Sequence, residues 1–166
     1  MFAADVLWQR LLTRLDARGF GDRQLMIEPG RSLVGNAGVC ITEILYLKPG
    51  EGKNFCIVDA AMNDLVRPAM YEAWMGIMPC TLRDEAPRTY DVVGPVCESG
   101  DWLGRERALA VREGDRIAVL SAGAYGMVMA SNYNTRPLAP ELLLERGAVR
   151  QIRRRQTIAE LLALEE

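Results

Sequence analysis

The sequence has no histidine, only two lysines (Lys48 and Lys53), and four cysteines, Cys40, Cys56, Cys80 and Cys97, without C-x-x-C spacing. Lacking imidazole and paired thiolates, it cannot assemble the usual zinc ligand sets, so no metal centre is expected. It also has no apolar run near the ~20 residues that cross a bilayer. Asp5, Arg10 and Arg14 break the opening segment where a signal peptide would need an uninterrupted apolar core. These absences predict free thiols and a cytoplasmic protein. An excess of either charge is missing too: 20 Lys and Arg face 22 Asp and Glu, for a net charge of −2. Nucleic acid and anionic membrane surfaces, which call for a basic face, are therefore not expected partners. The single basic run, Arg153-Arg154-Arg155, reads as the solvated end of a strand.

What is present is a chain of 166 residues, 49% hydrophobic, enough for one cored domain with an appendage. Val6, Leu7, Leu11, Leu12 and Leu15 recur at helical spacing between Asp5 and Arg18, and Gly19 and Gly21 end the segment. Gln24 to Ile27 reads as a short buried strand with Glu28 at its C-terminal end. Beyond Arg31 the pattern changes to strands: Val39 to Leu47, a Pro49-Gly50-Glu51-Gly52 turn, and Phe55 to Val58 as the returning arm of a hairpin. Further strands are predicted over Gly76–Leu82, Thr89–Cys97, Arg116–Ser121, Glu141–Glu145 and Ala148–Arg153. Thr157 and Glu160 form a capping-box pair that opens a last helix running to Leu164. A lone helix and strand ahead of a β-rich domain has little to pack on. The first thirty residues therefore read as the end of a larger parallel barrel, whose catalytic groups stand at the C-terminal ends of its strands, as Glu28 does here.

The chemistry-bearing residues sit in glycine-punctuated loops: Glu28-Pro29-Gly30-Arg31, Cys97-Glu98-Ser99-Gly100-Asp101 and Ala122-Gly123-Ala124-Tyr125-Gly126. An acid, an arginine, a thiol and a tyrosine so placed suit a cofactor that carries the difficult chemistry while the protein orients and tunes it. Read by themselves they have plainer roles. Glu28 and Arg31 would pair at a barrel rim, Gly30 would serve a turn after proline, and Cys97 would be a packed thiol. Arg67 would make a structural ion pair and Tyr71 would be a core or interface aromatic.

These loops, together with Asn36-Ala37-Gly38, Asp59 to Tyr71, Gly94 to Asp101, Ser121 to Gly126 and Ser131-Asn132-Tyr133-Asn134, resemble the diaminopimelate decarboxylases in continuous order from about residue 24 to 166. The resemblance implies pyridoxal 5'-phosphate as cofactor and a fold type III architecture. Residues 1–31 would be the last helix–strand unit of the cofactor-binding barrel, and residues 32–166 a mainly β, barrel- or sandwich-like C-terminal domain with flanking helices. The cofactor-linking lysine, a stacking histidine and a glycine-rich phosphate loop would lie in barrel segments earlier than these residues, so the chain alone is expected to be inactive. Lys48 and Lys53 flank a hairpin turn and are not expected to replace that lysine.

By the same resemblance Glu28 would keep the cofactor's ring nitrogen protonated, and Gly30, Arg31 and Tyr125 would bind cofactor, the last two also touching substrate. Arg67 and Tyr71 would hold the distal carboxylate of meso-diaminopimelate and Glu98 its distal ammonium. Cys97 would return a proton to the decarboxylated carbon, giving L-lysine, and both Cys97 and Glu98 would act across a homodimer interface, in the neighbouring subunit's site. Two other readings stand beside this one: a decarboxylase of another basic amino acid, against which Cys-Glu-Ser argues because the ornithine enzymes resemble Cys-Asp-Gly there, and a non-catalytic dimerisation or regulatory β-domain. Asn132 and Asn134 are expected to order a turn, Asp64 and Asp101 to be solvated surface acids, and Trp8, Trp74 and Trp102 to be packing or interface residues.

Overall fold

The computed structural model describes residues 4–165. Helix α1 (Ala4–Asp16) follows the predicted apolar spacing. It closes with the Phe20 N–H on the Leu15 carbonyl and the Gly19 N–H on the Asp16 carbonyl, a Schellman end that requires the left-handed φ of 81° found at Gly19. The segment after it departs from expectation. Gln24 to Ile27 forms no strand, and Met26 and Ile27 are exposed, because a strand exists only through pairing and none of the described strands lies alongside. Gly30–Val34 forms a short helix, α2, where a loop was expected.

The body of the chain is a six-stranded sheet. Strand β1 (Cys40–Lys48) turns back on β2 (Phe55–Val58) as the predicted hairpin. Outside β2 lie β4 (Arg88–Val93), parallel to it, and β5 (Trp102–Leu109), antiparallel to β4. On the other side of β1 come β6 (Arg116–Val119) and then β3 (Ile77–Pro79), both pairings antiparallel. The two outer strands curl toward each other: a Cβ placed on Gly104 of β5 would stand 2.7 Å from Ile77 Cδ1 of β3. The sheet is thus a nearly closed barrel, within the barrel- or sandwich-like architecture that the resemblance implied. Its interior is filled by Ile44, Cys56, Val58, Val92, Leu103, Ile117 and Val119, all fully buried. Period-two alternation aims Thr42 and Ile44 inward and Ile41 outward, until a bulge between Ile44 and Tyr46 leaves both Leu45 and Tyr46 exposed.

Strand β5 was not anticipated. Gly104 and the charges at Arg105, Glu106 and Arg107 hide its periodicity, and a register shift opposite Tyr90–Val92 disrupts what remains. Glu106 takes a φ of 54°, and its N–H is held at 2.8 Å by Asp91 Oδ1, whose other oxygen meets Lys53 Nζ at 2.9 Å. Burial pushes the Asp91 carboxyl up, but the Lys53 ammonium, the Glu106 N–H and Arg105 outweigh it and leave the group below the usual carboxylate range. Strand β4 is shorter than predicted, and Gly94 to Asp101 is a loop.

A second, two-stranded sheet joins β7 (Glu141–Glu145) to β8 (Ala148–Arg153) through Arg146 and Gly147, both at positive φ as a tight hairpin turn of this twist requires. The arginine run ends this sheet and is paired, Arg153 with Glu141 and Arg154 with Glu160. Thr157 and Glu160 make the predicted reciprocal capping box on α4 (Ile158–Leu161), and helix α3 is Arg67–Tyr71.

Candidate functional site

The segment that leaves β2 is the scaffold of the site. The Thr42 hydroxyl on β1 donates to Asp59 Oδ1 at 2.5 Å and accepts the Ala60 N–H at 2.9 Å. Buried Asn63 accepts from Arg136 Nε at 2.8 Å and donates from Nδ2 to the Ser131 carbonyl at 3.2 Å, while the Ser131 N–H returns to the Asn63 carbonyl. Asp64 accepts the Ala61 N–H at 2.9 Å and lies 3.5 Å from the Arg136 guanidinium. Asp64 is therefore a mostly buried structural acid and not the solvated group expected from sequence. The same bonds seat α3, whose first turn accepts Pro68 because the N–H groups there have no helical partner. Arg67 and Tyr71, one helical turn apart, meet with the guanidinium carbon 5.2 Å from the ring centroid.

A second arm carries Arg31 and Tyr125. The loop 121–126 is stitched onto residues 34–38 by Ala122 N–H to the Gly38 carbonyl, Gly123 N–H to the Gly35 carbonyl, and Ser121 Oγ to Asn36 Oδ1 at 2.8 Å. The backbones touch, so that a Cβ on Gly38 would fall 2.6 Å from the Gly123 Cα. Glycine is needed at this crossing for contact between two chain segments. Tyr125 follows at a φ of 58°, unusual for a bulky residue and common where function fixes a side chain. Its ring packs against two cations, 5.4 Å from the Arg31 guanidinium and 5.3 Å from that of Arg67. Four of the residues singled out from sequence, Arg31, Arg67, Tyr71 and Tyr125, thus form one cluster drawn from three separate loops or helices.

Cys97 and Glu98 project from the loop between β4 and β5, and both are exposed. The loop is closed on itself by Glu98 N–H to the Val96 carbonyl, Asp101 N–H to the Glu98 carbonyl, and Gly94 N–H to the Asp101 carbonyl. Asp101, expected to be solvated, is 4% exposed. Its Oδ2 accepts the Val96 N–H and its Oδ1 the Met62 N–H, each at 2.7 Å. Burial, with the nearby Asp64 adding to it, pushes this carboxyl up, and the two N–H donors and Arg136 offset the effect only in part, leaving the group above the usual carboxylate range. Glu98 Oε2 receives a hydrogen bond from the Tyr133 hydroxyl at 3.3 Å. Asp101, read from sequence as a solvated acid, and Tyr133, given no role there, both hold this loop in place. Asn132 does order its turn, as expected, donating to the Arg136 carbonyl and to Gln156 Oε1.

Glu28 lies exposed in the extended segment before α2, and Gly30 opens α2 with no atom within 4 Å of the Cβ position. No hydrogen bond or ion pair among the described residues joins Cys97 or Glu98 to the arginine–tyrosine cluster; what links the two is the 59–66 segment to which both are tied. Of the two lysines, Lys48 is exposed on the β1 end and Lys53 is engaged by Asp91.

The chain matches the family model described as pyridoxal-dependent decarboxylase, C-terminal sheet domain, over residues 2–123. The diaminopimelate decarboxylase of Pseudomonas aeruginosa is 58% identical over 142 residues, which is 86% of this chain and 34% of that protein. That of Vibrio cholerae is 50% identical over 155 residues, 93% of this chain and 37% of the relative. Among solved structures, diaminopimelate decarboxylase from M. jannaschii in co-complex with L-lysine superposes with a TM-score of 0.87 at 38% identity, covering 94% of this chain and 36% of that one. The chain spans about a third of the length of the curated relatives it matches.

Proposed function

The chain belongs to the pyridoxal-dependent decarboxylases through their C-terminal sheet domain, and from that premise we propose that it is part of an enzyme that decarboxylates meso-diaminopimelate to L-lysine. Residues 1–31 would then complete a cofactor-binding barrel and residues 32–166 form the sheet domain, in a cytoplasmic homodimer. The observation that carries the reading is the packing of Tyr125 against both Arg31 and Arg67. Two guanidiniums, that of Arg67 half-buried, and a phenol, beside the open backbone of Gly30, are a donor set for a phosphate and a carboxylate together. They fit a phosphorylated pyridine cofactor with a dicarboxylic amino acid.

Pyridoxal phosphate, when bound, supplies the electron sink for the pair left behind as carbon dioxide departs. The chain's own residues do the rest. Glu28 holds the proton on the ring nitrogen, and Gly30, Arg31 and Tyr125 bind the cofactor, Arg31 and Tyr125 also facing substrate. Arg67 and Tyr71 fix the distal carboxylate, and Glu98, steadied by Tyr133, takes the distal ammonium of the substrate in the neighbouring subunit's site. Cys97 delivers a proton to the α-carbon in the neighbouring subunit's site, a task for which an exposed thiol in a closed loop is suited.

The test is carbon dioxide release by the complete polypeptide with meso-diaminopimelate, ornithine, arginine and lysine as separate substrates. Selective turnover of meso-diaminopimelate is expected. Preference for ornithine or arginine would give the role to another basic amino acid, and a folded, cofactor-loaded protein inert toward all four would be a non-catalytic domain.

A further inference from the structure

The stretch from Asp59 to Val66 carries α3 yet contains no strand or helix of its own, so its polar groups need partners from elsewhere in the chain. Arg136 supplies them. One edge of its guanidinium spans two residues, Nε donating to Asn63 Oδ1 at 2.8 Å and Nη2 to the Asp59 carbonyl at 2.6 Å, with Asp64 Oδ2 3.5 Å away as counter-charge. Asn63 is 2% exposed, so loss of this donor leaves a buried amide oxygen unpaired. Leu65 and Pro68, both buried, flank Arg67 on either side, and a shift at Asn63 is carried on to its backbone.

The turn that presents Arg136 is strained. Asn134 and Thr135 both take left-handed φ values, 57° and 55°, and for a β-branched threonine this is an outlier. Gln156 clamps the turn on both sides, its Oε1 accepting from Asn132 Nδ2 at 2.6 Å and from the Leu138 N–H at 3.0 Å. Two successive strained residues, held from either end, return the chain so that the guanidinium reaches Asp59 and Asn63.

We propose that Arg136 is a positioning residue for Arg67 and Tyr71: its fork holds the segment that seats α3, and so sets where the Arg67 guanidinium meets the distal carboxylate of the substrate. The inference rests on the decarboxylase reading above. Arg136, Arg67 and Tyr71 belong to one chain and serve one site, that of their own subunit. Arg136 is engaged inward and acts only through the other two.

Arg136→Ala and Arg136→Lys in the cofactor-loaded complete enzyme test it, by equilibrium binding as well as by activity. L-Lysine, the product of the proposed reaction, retains the distal carboxylate, and pentane-1,5-diamine is the same carbon chain without it. Calorimetric affinity for L-lysine is expected to fall about tenfold, the lower end of the loss for a charge-assisted hydrogen bond because Arg67 is displaced and not removed. Affinity for the diamine should stay as it is. KM for meso-diaminopimelate should rise by the same factor, with kcat and cofactor affinity retained. Arg136→Lys keeps the charge without the fork and should behave like Arg136→Ala. Amide hydrogen exchange at Asp64, Leu65 and Met70, whose N–H groups bond within this segment and α3, should quicken in both. In an Arg67→Ala background, Arg136→Ala should add little to the loss.

Equal losses for L-lysine and the diamine would overturn the proposal. So would a fall in kcat at constant KM, which marks a smaller active fraction, wild-type behaviour of Arg136→Lys, or additive losses in the double variant. If Arg136→Ala fails to fold, Arg136→Lys carries the same readouts. An unmutated enzyme that does not act on diaminopimelate would instead overturn the decarboxylase reading, and exchange at Asp64, Leu65 and Met70 would still decide whether Arg136 seats α3.

Discussion

The guanidinium of Arg67 lies 5.3 Å from the centre of the Tyr125 ring, although 58 positions and most of the barrel separate the two in sequence. A cation over an aromatic face at an exposed site contributes only about 0.5–1 kcal/mol. A charge-assisted hydrogen bond to a substrate carboxylate contributes roughly 1.5–3 kcal/mol. Arg67 should therefore matter little to folding and much to catalysis.

Arg67→Ala in the complete enzyme is accordingly expected to lower kcat/KM for meso-diaminopimelate about tenfold to a hundredfold. The thermal midpoint should move little. Steady-state kinetics with analogues lacking the distal carboxylate check the assignment. Equal losses for both substrates would make Arg67 a structural residue.

Tyr133→Phe removes the hydroxyl that donates to Glu98 Oε2 at 3.3 Å. A bond of that length between partly exposed groups contributes about 0.5–1.5 kcal/mol, so KM for meso-diaminopimelate should rise roughly two- to tenfold. Both partners are exposed, and the melting curve should be unaffected. A large stability loss would show that Tyr133 packs the loop and does not steady the carboxylate.

The four thiols divide into two classes. Burial pushes Cys40 up to about 11 and Cys56 up to about 12, the nearby Asp64 and Asp59 adding to the effect at Cys40. Cys80 and Cys97 are exposed. Iodoacetamide at pH 8 with peptide mass spectrometry should label Cys80 and Cys97 in the native protein, and Cys40 and Cys56 only after denaturation. The pH dependence has a definite sign. Unfolded thiols lose their protons near 9.0, before the folded ones do, so the contribution is complete below pH 9 and declines as pH rises toward 11 at Cys40 and 12 at Cys56. Cys56→Val should flatten the upper part of that alkaline decline in denaturant titrations. An unchanged slope would assign the decline to other groups.

Local chemistry made much of the architecture readable. The Thr157–Glu160 capping box and the hairpins around Pro49–Gly52 and Arg146–Gly147 are determined by neighbours in sequence, and each formed where the residues required it. Strand β5 was hidden because its bulge is held by Asp91, a residue 15 positions away, and because its charges mimic a loop. Gln24–Ile27 shows the opposite failure: an apolar run suggests a strand, but pairing decides it. The Arg31, Arg67, Tyr71 and Tyr125 cluster was legible through resemblance, since no spacing rule brings residues from three parts of the chain together. Asp101 was misjudged because nothing in an Asp following Ser-Gly distinguishes a solvated acid from one buried under two backbone N–H donors.

Cys97 is expected to act on the neighbouring subunit's site. Its loop is closed by its own backbone hydrogen bonds and tied inward by Asp101, yet the thiol faces outward and makes no bond to the arginine–tyrosine cluster of its own chain. A proton donor so placed suits delivery to a neighbouring subunit. Complete subunits carrying Cys97→Ala, mixed with subunits in which the family's cofactor-linking lysine is replaced by alanine, form homodimers with two damaged sites each. The heterodimer gathers both lesions into one site and leaves the other whole. Activity should return on mixing, toward half that of wild type per heterodimer. Native mass spectrometry that shows subunit exchange without recovered turnover would place Cys97 in the site of its own subunit, or outside the chemistry altogether.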